Sequence, residues 1–94
     1  MKRWVKITAI GAVKGVGYCE HVKRYADKFG VEGTVQYDQA NAVLINAAGA
    51  SDALDDFLDH VYQGPPGSAV KEVAIEIAEQ PRDFRGVFRI ISGR

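Results

Sequence analysis

The stretch Gly11-Ala12-Val13-Lys14-Gly15-Val16-Gly17-Tyr18-Cys19 constrains this chain more than any other. An apolar, strand-like run from Trp4 to Ile10 feeds into it, and a helix-like run from Glu20 to Phe29 leaves it. A strand, a glycine turn and a helix start form a common anion cradle. Glycine allows the backbone angles that let N–H groups converge, and the first turn of a helix adds unpaired donors and the positive end of its dipole. By spacing alone the same stretch reads equally well as a tight strand-to-helix turn. It is not a nucleotide loop of the common kinds. No Gly-Lys-Ser/Thr follows four free residues, and Gly15-Val16-Gly17 meets Glu20 where the dinucleotide fingerprint needs glycine.

The remaining elements follow from hydrophobic period. Val5, Ile7 and Ala9 alternate with Lys6 and Thr8, as in a half-buried strand. Val22, Ala26 and Phe29 share one helical face, with Lys23, Arg24, Asp27 and Lys28 away from it and Gly30 as the C-terminal stop. Val31 to Tyr37 reads as a second strand, Asp38 to Asn41 as a turn with Asn41 at positive φ, and Ala42 to Ala47 as a third strand. Ser51 is the expected N-cap of a second helix. Asp52, Asp55 and Asp56 lie near its start, and Leu54, Phe57, Leu58 and Val61 form its apolar stripe. Gly64-Pro65-Pro66-Gly67 ends it. Ala69 to Glu79 alternates with Val73, Ile75 and Ile77 inward and Glu72 and Glu76 outward. Pro81 breaks that run, and Val87 to Ile91 is a short last strand. This order is βαββαβ plus one short strand. It predicts a ferredoxin-like α/β sandwich of the α+β class, with two amphipathic helices on one face of an antiparallel sheet.

With 94 residues, one domain over 1–94 is expected. Lysine plus arginine balances aspartate plus glutamate, so the formal charge is zero, which argues against nucleic acid and against acidic membrane as partners. One cysteine makes no internal disulfide. The start, Met1-Lys2-Arg3-Trp4, leads into a run too short and too polar for a signal peptide or a membrane span, so a cytoplasmic monomer is expected.

Side chains that could carry chemistry are few. Cys19 falls at a helix start, where thiolate is favoured. As a phosphatase nucleophile it would have to precede the loop with an arginine after it, so a small, part-buried, unreactive cysteine is the better reading. His21 and His60 stand one per helix without a third partner at metal spacing, and read as solvated or capping histidines rather than metal ligands. Asp52, Asp55, Asp56 and Asp59 read as a solvated helix face. No RNP1-like run supports base stacking on the sheet.

Taken together, the motifs resemble the acylphosphatase family over nearly the whole chain. Gly11 to Tyr18 is similar to its Gly-x-Val-Gln-Gly-Val-x-Phe, with Lys14 for glutamine and Tyr18 for phenylalanine. Gly30-Val31-Glu32-Gly33-Thr34-Val35 is similar to its Gly-Leu-x-Gly-Trp-Val. Val43, Ala47 and Gly49, then Phe57-Leu58 with Gly64-Pro65-Pro66, and finally Phe88-Arg89-Ile90 follow in family order. The resemblance implies hydrolysis of the carboxyl–phosphate bond of small acyl phosphates, without metal or cofactor. It further implies that the amides of Lys14, Gly15, Val16, Gly17, Tyr18 and Cys19 cradle a phosphate- or carboxylate-bearing ligand.

In the family, one arginine also grips the phosphate and one asparagine positions the attacking water. Cys19 stands at the arginine position and Tyr37 at the asparagine position. An arginine that stabilises phosphoryl charge is worth about 10³–10⁵ in rate, and a single donor at developing charge about 10²–10³. Strongly reduced or lost activity with a retained anion loop is therefore expected. The alternatives are a working acylphosphatase with Lys14 or Lys23 as phosphate clamp, or a protein–protein scaffold.

Overall fold

The computed structural model describes residues 2–38 and 41–91. Its elements run β1 (Lys2–Ala12), α1 (Tyr18–Phe29), β2 (Glu32–Tyr37), β3 (Ala42–Ala50), α2 (Ser51–Gln63), β4 (Ala69–Ile77) and β5 (Phe88–Ile90). The strands form one sheet in the order β4-β1-β3-β2-β5. Four of them make the expected antiparallel sheet. β5 departs from it by pairing parallel to β2, with Thr34 opposite Arg89, so the sheet is mixed. β4 ends beside Val5, at the end of the sheet where β2 also starts, so a connection that stays at that end enters the open edge beside Gly33 and runs parallel to β2.

Alternation sets the faces. Ile7, Ala9, Val35, Val43 and Ile45 point under the helices and are fully buried with Val22, Ala26 and Phe57. Gly33 shows why only glycine suits its position in β2. Its φ is 152°, and a Cβ there would stand 1.8 Å from the Asn46 carbonyl oxygen of β3. At the end of α1, Gly30 adopts φ 72° and Val31 N–H reaches Ala26 O at 2.8 Å, the expected C-terminal stop.

Several local expectations fail for physical reasons. Ile75 and Ile77 pair with Ile7 and Val5, on the helix-facing side, yet are 43% and 81% exposed. β4 is an edge strand, and α2 lies mainly over β3 and β1, so alternation names the correct side without supplying cover. Ser51 is the first helical residue rather than the cap. Ala50 holds the cap position without a side-chain bond, and the nearest help is Asp52 Oδ1 accepting the Ala53 N–H at 2.9 Å. β3 runs on to Ala50 because β1 supplies partners for these small residues, pairing Trp4, Arg3 and Lys2 with Ala48, Gly49 and Ala50. The turn centre at Gln39 and Ala40, and with it the backbone angle assigned to Asn41, lies outside the described residues.

Candidate anion site at the glycine loop

β1 delivers the chain to Val13, which is fully buried, and α1 begins at Tyr18. Between them Lys14, Gly15 and Gly17 are exposed, and both glycines are left-handed, at φ 72° and 73°. That conformation turns the loop back on itself at little steric cost. The first backbone bond of α1 is His21 N–H to Gly17 O at 3.0 Å. Among the described residues, no internal acceptor stands in full hydrogen-bond geometry to the N–H groups of Gly15, Val16, Gly17 and Tyr18, the turn over residues 14–17 being closed only loosely. Four unclaimed donors at a helix start are what an anion requires.

Tyr18 locks this end of α1 to α2. Its ring is fully buried and its hydroxyl donates to Val61 O at 2.6 Å. The reason lies in the chain four residues on. Val61 O would take the N–H of residue 65, but Pro65 has none. One turn along α1, His21 Nε2 lies 2.9 Å from His60 O, which also receives Gly64 N–H at 3.0 Å. A carbonyl only accepts, so this histidine carries its proton on Nε2. Burial pushes the Tyr18 hydroxyl well above the ordinary phenol range, and the neighbouring Cys19 adds to the effect.

The two histidines are half-buried. His21 caps the end of α2, as one of its two expected roles allowed, and His60 is packed in the helix seam. The His60 ring stacks on Tyr25 with centroids 3.8 Å apart and planes 5° off parallel, and Phe29 lies 5.6 Å away. The buried Nδ1 of His60 meets no protein partner among the described residues. The two rings are 6.4 Å apart, and among the described residues no third His, Cys, Asp or Glu joins them in a metal-sized group.

Cys19 and Tyr37, distant in sequence, come together. Cys19 is 1% exposed, and the Tyr37 hydroxyl faces both its thiol and its backbone N–H. Burial raises the Cys19 thiol above its ordinary value, and the Glu20 carboxylate adds to that, while the contact with Tyr37 works the other way. Burial is likewise the largest cause that raises Tyr37, with Cys19 next. The pair is thus a neutral thiol against a neutral phenol at physiological pH. The helix-start argument for a thiolate loses to desolvation.

The two lysines differ. Lys14 is exposed on the loop itself. Lys23 is drawn along α1 to Asp27, its Nζ 2.7 Å from Oδ2. On the α2 side of the loop, Val16, Gly17, Glu20, His21, Arg24 and Gly64 help to line a cleft of about 460 Å³. Cys19 and Tyr37 are not among its walls. Arg24 reads in the sequence only as part of the polar face of α1. Its approach to the loop is legible as the i, i+3, i+4, i+7 face of Gly17, Glu20, His21 and Arg24.

Comparison with known proteins matches this arrangement to one family. The acylphosphatase family model matches residues 5–90. The chain is 37% identical over 84 residues to an acylphosphatase of Rhizobium meliloti (strain 1021), covering 86% of each chain. It is 39% identical over 72 residues to an acylphosphatase of Thermotoga petrophila, covering 77% of this chain and 80% of that one. The crystal structure of acylphosphatase from Bacillus subtilis superimposes with a TM-score of 0.89 at 30% identity, over 97% of this chain and 99% of that one. With the sheet order, the two helices on one face and the glycine loop in agreement, the chain belongs to the acylphosphatase family.

Proposed function

We propose that this chain is an acylphosphatase-family domain that keeps the backbone anion cradle and hydrolyses acyl phosphates far more slowly than a working family enzyme. One observation carries the reading. Where the family resemblance calls for a guanidinium there is a buried, neutral Cys19 thiol, covered by the Tyr37 hydroxyl. A thiol offers no planar pair of donors to a phosphoryl oxygen. The cradle's own donors are backbone groups, so they do not depend on these two side chains. The ligand class this supports is a small phosphate- or carboxylate-bearing molecule.

The reading of a working acylphosphatase rests on Lys14, which is exposed in the loop, rather than on Lys23, which is engaged with Asp27. An ammonium there acts as a point charge without the bidentate fit. The deciding measurement is benzoyl phosphate hydrolysis by the natural protein and by Lys14→Ala, beside a phosphate titration followed at the loop amides. Near-background turnover with saturable shifts at Gly15 to Tyr18 is the expected result. Turnover at ordinary enzyme rates that collapses in Lys14→Ala would establish the clamp reading instead. Absence of both turnover and shifts would leave only a scaffold.

A further inference from the structure

The connection from β4 to β5 has no regular structure, yet it is fastened along its length. Trp4 Nε1–H donates to Arg82 O at 2.9 Å. Phe84 is buried, the only residue from 79 to 87 that is. Gly86 N–H donates to Glu32 Oε1 at 2.6 Å, and Glu32 is itself buried and paired with Lys2. Gly33 N–H donates to Val87 O at 2.9 Å, and Asp83 Oδ1 accepts the Arg85 N–H at 2.9 Å. Within this frame Arg85 sits at φ 59°, the one non-glycine residue at positive φ among those described. A long side chain held in that conformation is unusual, and the surrounding bonds over-determine it.

The result of this fastening is a concentration of cations. Arg82, Arg85 and Arg89 line one cavity of about 360 Å³ together with Gly33, Thr34 and Asp83. Three arginines and one aspartate share this lining, in a chain whose formal charge is zero, and all three arginines are exposed. Among the described residues none of the three arginines is in a salt bridge. The Arg82 guanidinium lies over the Phe84 ring, 4.9 Å from its centroid, which orients it without consuming its donors. The register sets Arg89 directly beside Thr34. Asn46 Nδ2 lies 3.5 Å from Thr34 Oγ1 as donor, leaving the threonine O–H to donate elsewhere.

We propose that Arg82, Arg85, Arg89 and the Thr34 hydroxyl form a second anion site, separate from the glycine loop, for a ligand carrying two adjacent phosphate groups. Guanidinium is weakly hydrated and presents forked donors that match phosphate oxygens. Three such forks, carried by a strand and by the connection before it, can be shared between two adjacent phosphate groups. The cavity is many times the share of volume of one water, about 30 Å³. It opens on the sheet face that carries Thr34, opposite to the face of Val35 and Tyr37. The site does not depend on the fate of Cys19.

The test is a ¹⁵N-resolved titration of the full chain with pyrophosphate, orthophosphate and sulfate at matched ionic strength. Pyrophosphate is expected to shift Gly33, Thr34, Gly86 and the arginine Nε resonances saturably, and to bind about tenfold or more tighter than orthophosphate. Arg82→Gln and Arg89→Gln should each weaken it by about three- to tenfold. Arg85→Gly is the control against misfolding. Glycine favours the observed φ, so this variant should melt no lower than the natural protein and yet bind pyrophosphate more weakly. Equal response to sulfate would overturn the proposal. So would shifts confined to the loop amides, or unchanged pyrophosphate binding in Arg85→Gly.

Discussion

The two ends of β2 border two candidate anion sites of different make. At its last residue, Tyr37 meets a loop with unclaimed backbone donors and a neutral thiol where a cation belongs in the family pattern. At its beginning, Gly33 and Thr34 border a cavity lined by three arginines. One end is built around the backbone of a glycine loop, and the other around arginine side chains. Backbone convergence needs only the φ of two glycines, so it survives side-chain replacement. A cation is a single side chain, lost in one substitution and gained in another. The difference teaches that backbone and side chains build toward an anion by separate routes in one small sheet.

The largest expected effect comes from placing charge into the converged end. Cys19→Arg should raise benzoyl phosphate hydrolysis by about 10³-fold, the top of the range for one positioned donor and the bottom of that for an arginine that stabilises phosphoryl charge. Tyr37→Asn should add to it by removing the phenol from the Cys19 amide and thiol. If neither variant nor the pair gains turnover, the cradle does not bind its ligand productively and the contrast between the two ends disappears.

A smaller effect tests what holds the converged end rigid. Tyr18→Phe leaves the Val61 carbonyl without the donor that Pro65 cannot supply. Loss of a buried hydrogen bond of this kind costs about 1–3 kcal/mol, or about 5 °C or more in melting temperature for a domain this small. Denaturant unfolding of the two proteins measures it directly. An unchanged midpoint would mean that water replaces the hydroxyl and that the loop does not rely on α2.

The smallest effect is in pH. Cys19 and Tyr37 are both raised by burial above ordinary values of 9.0 and 10.0, so the folded chain keeps protons that the unfolded chain gives up first. Their contribution to stability is full below those ordinary values and is lost as pH rises through the higher folded ones. Unfolding midpoints should therefore fall on the alkaline side, beginning in the thiol range. Cys19→Ala should delay that onset toward the phenol range. Measured from neutral pH upward, an identical alkaline profile in the variant would mean that the thiol ionises as freely when folded as when unfolded.

Much of the fold was legible because it depends on local period and punctuation. Alternation in Val5-Lys6-Ile7-Thr8-Ala9, the stripe of Leu54, Phe57, Leu58 and Val61, and the Gly-Pro-Pro stop each act over a few residues, which is the range that sequence pattern reports. The family motifs were legible for the same reason, since they are contiguous. Ile75 and Ile77 misled because alternation says which face a residue occupies, while cover depends on where α2 comes to rest. The parallel pairing of β5 depends on which sheet edge is left open.

By itself, then, the sequence determined the order of elements, the glycine loop at a helix start, and the run of motifs that resembles the acylphosphatase family. Only the tertiary structure decided that Cys19 is buried and neutral, that Tyr37 covers it, that Tyr18 and His21 close the end of α2, and that Arg82, Arg85 and Arg89 share one cavity. Each of the latter turns on groups brought together from distant parts of the chain. Burial and proximity set their charge and hydrogen bonding, and neither quantity exists until the chain has folded.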